Sequence, residues 1–234
     1  MIREFFDLVI MQFKMIKIYL PAIIFYSVFI PIGLLLIFGV NSLPTTRGYA
    51  IAGTITTLIA MSGITGVSQT IAYERNIGRF SLLLSAGIRP WLYAISIIIS
   101  YGISSIITIP VVIITGEYVF GIKVQSPYML LYAILSCLFT SSMIGLGLGY
   151  FIKNIQAINQ LSPIIAFTLI FFAPVYYSID AIPSFLVPLT FLEPTTYMSQ
   201  GIFYAIQGST ISILWSTGCL IYGIIVISIM KLLD

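Results

Sequence analysis

The sequence predicts an all-α membrane protein with six transmembrane helices, an N-terminal interfacial amphipathic helix, a short cytoplasmic helix and an outer re-entrant hairpin. Three observations carry that prediction. The 234 residues are 59% hydrophobic and only 7% charged, with a mean hydropathy of +1.11. Soluble domains carry about 25% charged residues, so this chain has too few to cover a water-facing surface. Six stretches also reach the roughly 20 mostly apolar residues a helix needs to cross a bilayer. Finally, the basic residues flanking these stretches are distributed unevenly. Runs this long without period-two alternation do not suit a membrane barrel.

The first element covers residues 1–17. At 100° per residue, Arg3, Asp7, Lys14 and Lys17 share one narrow sector, and Phe5, Phe6, Val9, Ile10, Phe13 and Ile16 spread over the rest. That pattern suits a helix lying in the membrane interface; a plain extension of the first span is the alternative. The remainder, 18–234, reads as one membrane domain. Its spans are expected at about 18–40, 49–72, 91–115, 128–152, 158–179 and 210–232. Near the span ends, Arg3, Lys14, Lys17, Arg75, Arg79, Arg89, Lys153 and Lys231 fall on one side, and Arg47 and Lys123 on the other. The side rich in Lys and Arg is cytoplasmic, which places both termini in the cytoplasm; the membrane is expected to be the plasma membrane.

Between the last two spans, residues 181–208 are too apolar for a free loop and too broken by Pro183, Pro188 and Pro194 for a full span. Such a stretch suits one or two short helices dipping into the outer leaflet. Thr195, directly after Pro194, is positioned to cap the second of these.

Composition also excludes functions. A net charge of +3 is too small for a nucleic-acid partner, and the absence of His removes the commonest general base and metal ligand. Cys137 and Cys219 fall inside apolar runs and read as small buried hydrophobes rather than a disulfide. No Cys/His cluster suggests zinc. Glu74, Glu117, Asp180 and Glu193 are expected at span ends or in loops, so the spans hold no intramembrane charge of the kind that marks ion coupling. No GxxxxGK[ST] run occurs. Neither catalytic nor metal-binding residues are expected, and any energy for work arrives from another chain.

The most charged internal segment runs from Tyr73 to Trp91, YERNIGRFSLLLSAGIRPW. Gly78–Ala86 can form a short helix with Phe80, Leu82, Leu83 and Leu84 as its apolar surface. Gly87 is a natural stop and Pro90 forbids continuation. The residues leave two readings open: a docking knob on the cytoplasmic face, or a positively charged turn that only sets topology.

This stretch resembles the first cytoplasmic loop of type-2 ABC exporter permeases. There an acidic–basic pair is followed by a Gly and a Leu-rich short helix. The run Ile182-Pro183-x-Phe185-Leu186-x-Pro188-Leu189, then Leu192-x-Pro194-x-x-Tyr197, is similar to that family's outer re-entrant segment. The resemblance covers nearly the whole chain. It implies that the Gly78–Ala86 helix is a coupling helix fitting a cleft on a cytoplasmic ATPase. In this reading Glu74, Arg75, Gly78, Arg79, Phe80, Leu82, Leu83 and Leu84 form the coupling site. Glu74 and Arg75 anchor its start, and Pro183, Phe185, Pro188, Pro194 and Tyr197 close the outer end. The family often has Thr directly after the loop Gly, where this chain has Arg79.

A pathway reads more weakly. Thr57, Thr65 and Gln69 belong to a hydroxyl- and amide-bearing set close to one face of the second span, which equally suits helix–helix packing. Phe167 and Phe171 either line an apolar groove or face lipid. The Gly145-x-Gly147-x-Gly149 run reads as close packing or a kink. The expected function is the transmembrane subunit of an ATP-driven exporter of a hydrophobic or amphipathic substrate: a drug, a lipid or a lipid-linked glycan. Its partners would be two ATPase subunits holding ATP and Mg, a second copy or a homologous permease, and membrane lipid. The rival readings are a stand-alone secondary transporter or channel, and a non-transporting membrane scaffold subunit.

Overall fold

A computed structural model describes residues 8–11, 20–43, 46–88 and 90–232. Among these residues the chain is helical, with no strand. The long elements are α1 (Leu20–Val40), α2 (Arg47–Asn76), α4 (Pro90–Phe120), α5 (Pro127–Phe151), α6 (Ile155–Phe172) and α8 (Ile211–Leu232). Shorter helices are α3 (Arg79–Ser85) after α2 and α7 (Pro194–Ile206) before α8, with a 3-10 turn at Ile179–Ala181 and a single helical turn at Val187–Thr190 between α6 and α7. Four helices are long and apolar enough to cross a membrane: α2, α5, α6 and most of α8. Shorter apolar stretches of α1 and α4, Ser27–Val40, Leu92–Gly102 and Thr108–Phe120, accompany them.

The helices divide into an inner and an outer set. Of the most apolar window of each, 72% is buried in α2 and 56% in α5, against 22% in α6 and 17% in α8. The inner pair therefore makes the core, and the other two turn apolar side chains outward, as helices solvated by lipid do. The main cluster joins Ile55, Ile59 and Ile64 of α2, Ala133 and Cys137 of α5, and Met198 and Ile202 of α7.

The α2–α5 contact is built on glycine. A Cβ on Gly145 would collide with the Gly63 carbonyl oxygen, and one on Gly149 would press on Ile71 and the Ser68 carbonyl. Gly147 faces the other way, toward Val226 and Met230 of α8. The glycine run thus places small residues against two neighbours, as membrane helices commonly do. Opposite Gly145, residues Met61–Gly66 of α2 form a π-turn, which the sequence reading did not anticipate.

Three boundaries differ from expectation. The fifth span is not helical to residue 179, because α6 stops at Phe172. Pro174 drives Ala173 out of the helical region, to φ −92° and ψ 150°. At its start, the Asn154 carboxamide accepts hydrogen bonds from the amides of Gln156 and Ala157. The third span runs longer, to Phe120, and carries Glu117 on the helix. Thr195 is not the cap of α7. Glu193 occupies that position, Pro194 supplies the first turn, and the Thr195 hydroxyl donates instead to the Leu169 carbonyl. The 1–17 helix falls mostly outside the described residues; within it, 8–11 are helical.

Candidate functional site

The turn from α2 into α3 is fixed by chain geometry and by one ion pair. Gly78 and Gly87 bracket α3 at φ +74° and +82°, a left-handed conformation that only glycine adopts without strain. The Ile88 amide returns to the Leu83 carbonyl at 3.1 Å, closing the helix as Gly87 predicted. Glu74, at the end of α2, is 0% exposed, and its Oε1 accepts from Arg79 Nη1 at 2.7 Å. Next to it, Arg75 Nη2 donates to the Gly149 carbonyl of α5 at 2.8 Å. Glu74 Oε2 and Arg75 Nη1 are buried without a partner among the described residues. Arg79, the residue that departs from the resembled pattern, is thus the one that neutralises Glu74.

The apolar surface of α3 splits. Phe80 and Leu83 turn inward and join a small cluster around Leu8, Val67, Tyr93 and Ile97. The Phe80 ring lies 5.9 Å from that of Tyr93. Leu82 points away and is 69% exposed, flanked by exposed Ser81, Ser85 and Ala86. Three residues apart, Phe80 and Leu83 share a helix face, and Leu82 stands off it. The side chain of Leu84 lies outside the described residues.

At the other end of the bundle, α7 runs antiparallel to α8. The Ser212 hydroxyl donates to the Gly201 carbonyl at 2.8 Å. Tyr197 covers Gly218, and the Tyr222 hydroxyl donates to the carbonyls of Phe191 at 3.2 Å and Leu192 at 2.6 Å. Tyr222 lies about 16 Å along α8 at 1.5 Å per residue, so α7 begins near the middle of α8. Gln125 N donates to the Ile206 carbonyl at 2.9 Å, tying the far end of α7 to the loop after α4. Of the expected gate residues, Pro194 is buried, Tyr197 is half-buried, and Pro183, Phe185 and Pro188 are exposed.

A family model described as ABC-2 type transporter matches residues 6–206. The chain belongs to the ABC-2 type transporter family. Its matched part is the membrane permease of such transporters, a multi-pass protein that lacks an ATPase domain and generally pairs with ABC ATPase subunits. A search of curated proteins returns no match.

In this ABC-2 chain the pathway residues are not gathered. Thr57 shares a hydrogen bond of 2.9 Å with the Tyr176 hydroxyl, and the Tyr176 ring stacks on Phe38 at 3.8 Å. Thr65 and Gln69 are half-buried, and Thr65 Oγ1 is enclosed without a partner. Phe167 and Phe171 stack on each other, with centroids 6.1 Å apart, on the exposed side of α6. Among the described residues, no hydrogen bond or ring contact joins them to the three α2 side chains.

Sequence reading missed two groups. Tyr176 follows the break at Pro174, and its partners on α1 and α2 lie far away in sequence. The cluster of Phe191, Tyr197, Trp215 and Tyr222 depends on the antiparallel register of α7 and α8. It stacks Phe191 on Trp215 at 6.0 Å and sets Tyr197 edge-on to Trp215 at 5.3 Å. Glu193 belongs to the 181–208 segment expected to dip into the outer leaflet, and its register beside the middle of α8 is set by Tyr222 on Leu192.

Proposed function

We propose that this ABC-2 permease is the membrane subunit of an ATP-driven exporter for a hydrophobic or amphipathic substrate: a drug, a lipid or a lipid-linked glycan. It crosses the plasma membrane six times with both termini in the cytoplasm. It works with a second copy or a homologous permease and with two ATPase subunits that hold ATP and Mg. Helix α3 is the coupling helix, seated in the ATPase, and the hairpin around α7 closes the outer end of the pathway. ATP-driven closure of the ATPases pushes on α3 and biases the membrane bundle between two arrangements.

The supporting observation is the construction of α3. Its inner face is locked to the bundle by Glu74–Arg79 and by Phe80 and Leu83, while Leu82 stands free on the opposite side. A rigid lever with an exposed apolar tip suits transmission of force from a partner. A turn that only set topology would need neither the lock nor the tip.

Leu82→Asp tests this in the permease reconstituted in nanodiscs with its ABC ATPase. Thermal stability is expected to stay at the parent value, because Leu82 packs on nothing internal. Co-purification and permease-stimulated ATP hydrolysis are expected to fall about tenfold or more, the scale of an interface hot spot. An unchanged Leu82→Asp complex would falsify the coupling assignment.

A further inference from the structure

The α7 hairpin carries a carboxylate with no counter-charge beside it among the described residues. Glu193 stands at the N-terminal boundary of α7, yet its side chain makes no capping hydrogen bond. Among the described residues its Oε2 is enclosed without a partner. Among the described side chains none forms an ion pair with Glu193. Arg79 pairs with Glu74, Lys123 with Glu117, and Arg75 donates to Gly149. Arg47 lies over the Phe120 ring at 5.5 Å, and Lys153 is exposed between α5 and α6. Beside the middle of an apolar helix of spanning length, a charged carboxylate is costly in lipid and marks function when it persists.

Its surroundings are aromatic. Tyr222 holds the two carbonyls immediately before Glu193, and Tyr197, one turn along α7, meets Tyr222 at 5.4 Å and Trp215 at 5.3 Å. Phe191 and Leu192 are exposed beside it. A carboxylate beside aromatic rings on an apolar surface is the arrangement that attracts organic cations, since ring faces draw positive charge while the surface accepts the apolar body. Glu193 itself is half-buried, so a ligand can approach it from the exposed side.

We propose that Glu193, with Tyr197, Trp215 and Tyr222, recognises the positively charged head of an amphipathic substrate. This narrows the substrate class of the exporter and rests on that reading of the chain. A neutral, protonated Glu193 with no ligand is the competing state, and it binds no cation.

The test uses the full chain in nanodiscs and requires no ATPase. Trp91→Phe leaves Trp215 as the single tryptophan of the two, a reporter inside the proposed site. Tetraphenylphosphonium is titrated against tetraphenylborate, which has the same shape and the opposite charge. The cation is expected to change Trp215 fluorescence saturably and the anion is not. Glu193→Gln should weaken cation binding about tenfold, or 1.4 kcal/mol, while Glu193→Asp restores part of it. Equal binding of cation and anion, absence of saturable binding, or a Glu193→Gln variant within twofold of its parent would each overturn the proposal. A chain that binds the cation but fails to co-purify with an ABC ATPase in a separate assembly assay would count against the exporter alone. Assembly without cation binding would count against the recognition site alone.

Discussion

Glu74, at the end of α2, and Glu193, beside the middle of α8, each have one carboxylate oxygen enclosed without a partner among the described residues. They differ in what the chain provides for the other oxygen. Glu74 is fully buried and paired with Arg79 five residues later, within a turn set by Gly78. Glu193 has no ion pair among the described residues and lies half-buried beside aromatic rings. Where the chain supplies the counter-charge, the carboxylate acts as a lock within the fold. Where no described residue does, the proposal leaves the carboxylate available to a cation that arrives from outside.

That contrast can be broken most forcefully at Arg79. Arg79→Ala strands the Glu74 carboxylate in the interior and should cost on the order of 3 kcal/mol, read as a lower unfolding midpoint in nanodiscs. Adding Glu74→Gln should recover more than half of the loss; no recovery would mean the pair is not the lock. Gly145→Ala comes next. Its Cβ drives into the Gly63 carbonyl, which cannot swing aside, and about 2 kcal/mol should be lost. Tyr222→Phe deletes the hydroxyl that holds the Phe191 and Leu192 carbonyls and should cost about 1 kcal/mol, with faster hydrogen exchange at the start of α7 as its local signature. Glu193→Gln should change stability by less than about 0.5 kcal/mol in the absence of ligand. A loss as large as that of Arg79→Ala would make Glu193 a second internal lock and erase the distinction.

Much of this architecture could be read from the sequence, for identifiable reasons. Lipid demands long apolar helices, so hydropathy located each of the long helices within a few residues at most ends. Gly87 marked the end of α3 correctly, while Gly78, read as its first residue, stands in the left-handed turn before Arg79, and Pro90 opens α4. The error at the end of α6 came from the same signal, because FFAPVYYSI stays apolar past Phe172 while Pro174 ends the helix. The division of α3 into an inner face of Phe80 and Leu83 and an outer Leu82 was available from the three-residue spacing and went unused. The depth of Glu193 was not available. It follows from the register of α7 on α8, which depends on Tyr197 meeting Gly218 and Tyr222 meeting Leu192, contacts between residues 21 and 30 positions apart.

The π-turn at Met61–Gly66 bears on how α2 tolerates changes in length. A π-turn lodges one residue more than an α-helix needs over the same rise. Both flanks of α2 are held in fixed angular positions, above by Thr57 on Tyr176 and below by Arg75 on Gly149. Deleting one residue between these anchors but outside Met61–Gly66 would rotate one anchor by about 100° relative to the other and pull it out of place. Deleting one residue within Met61–Gly66 would let the turn relax to α-helix with both anchors in register. This short stretch is where the central helix has slack.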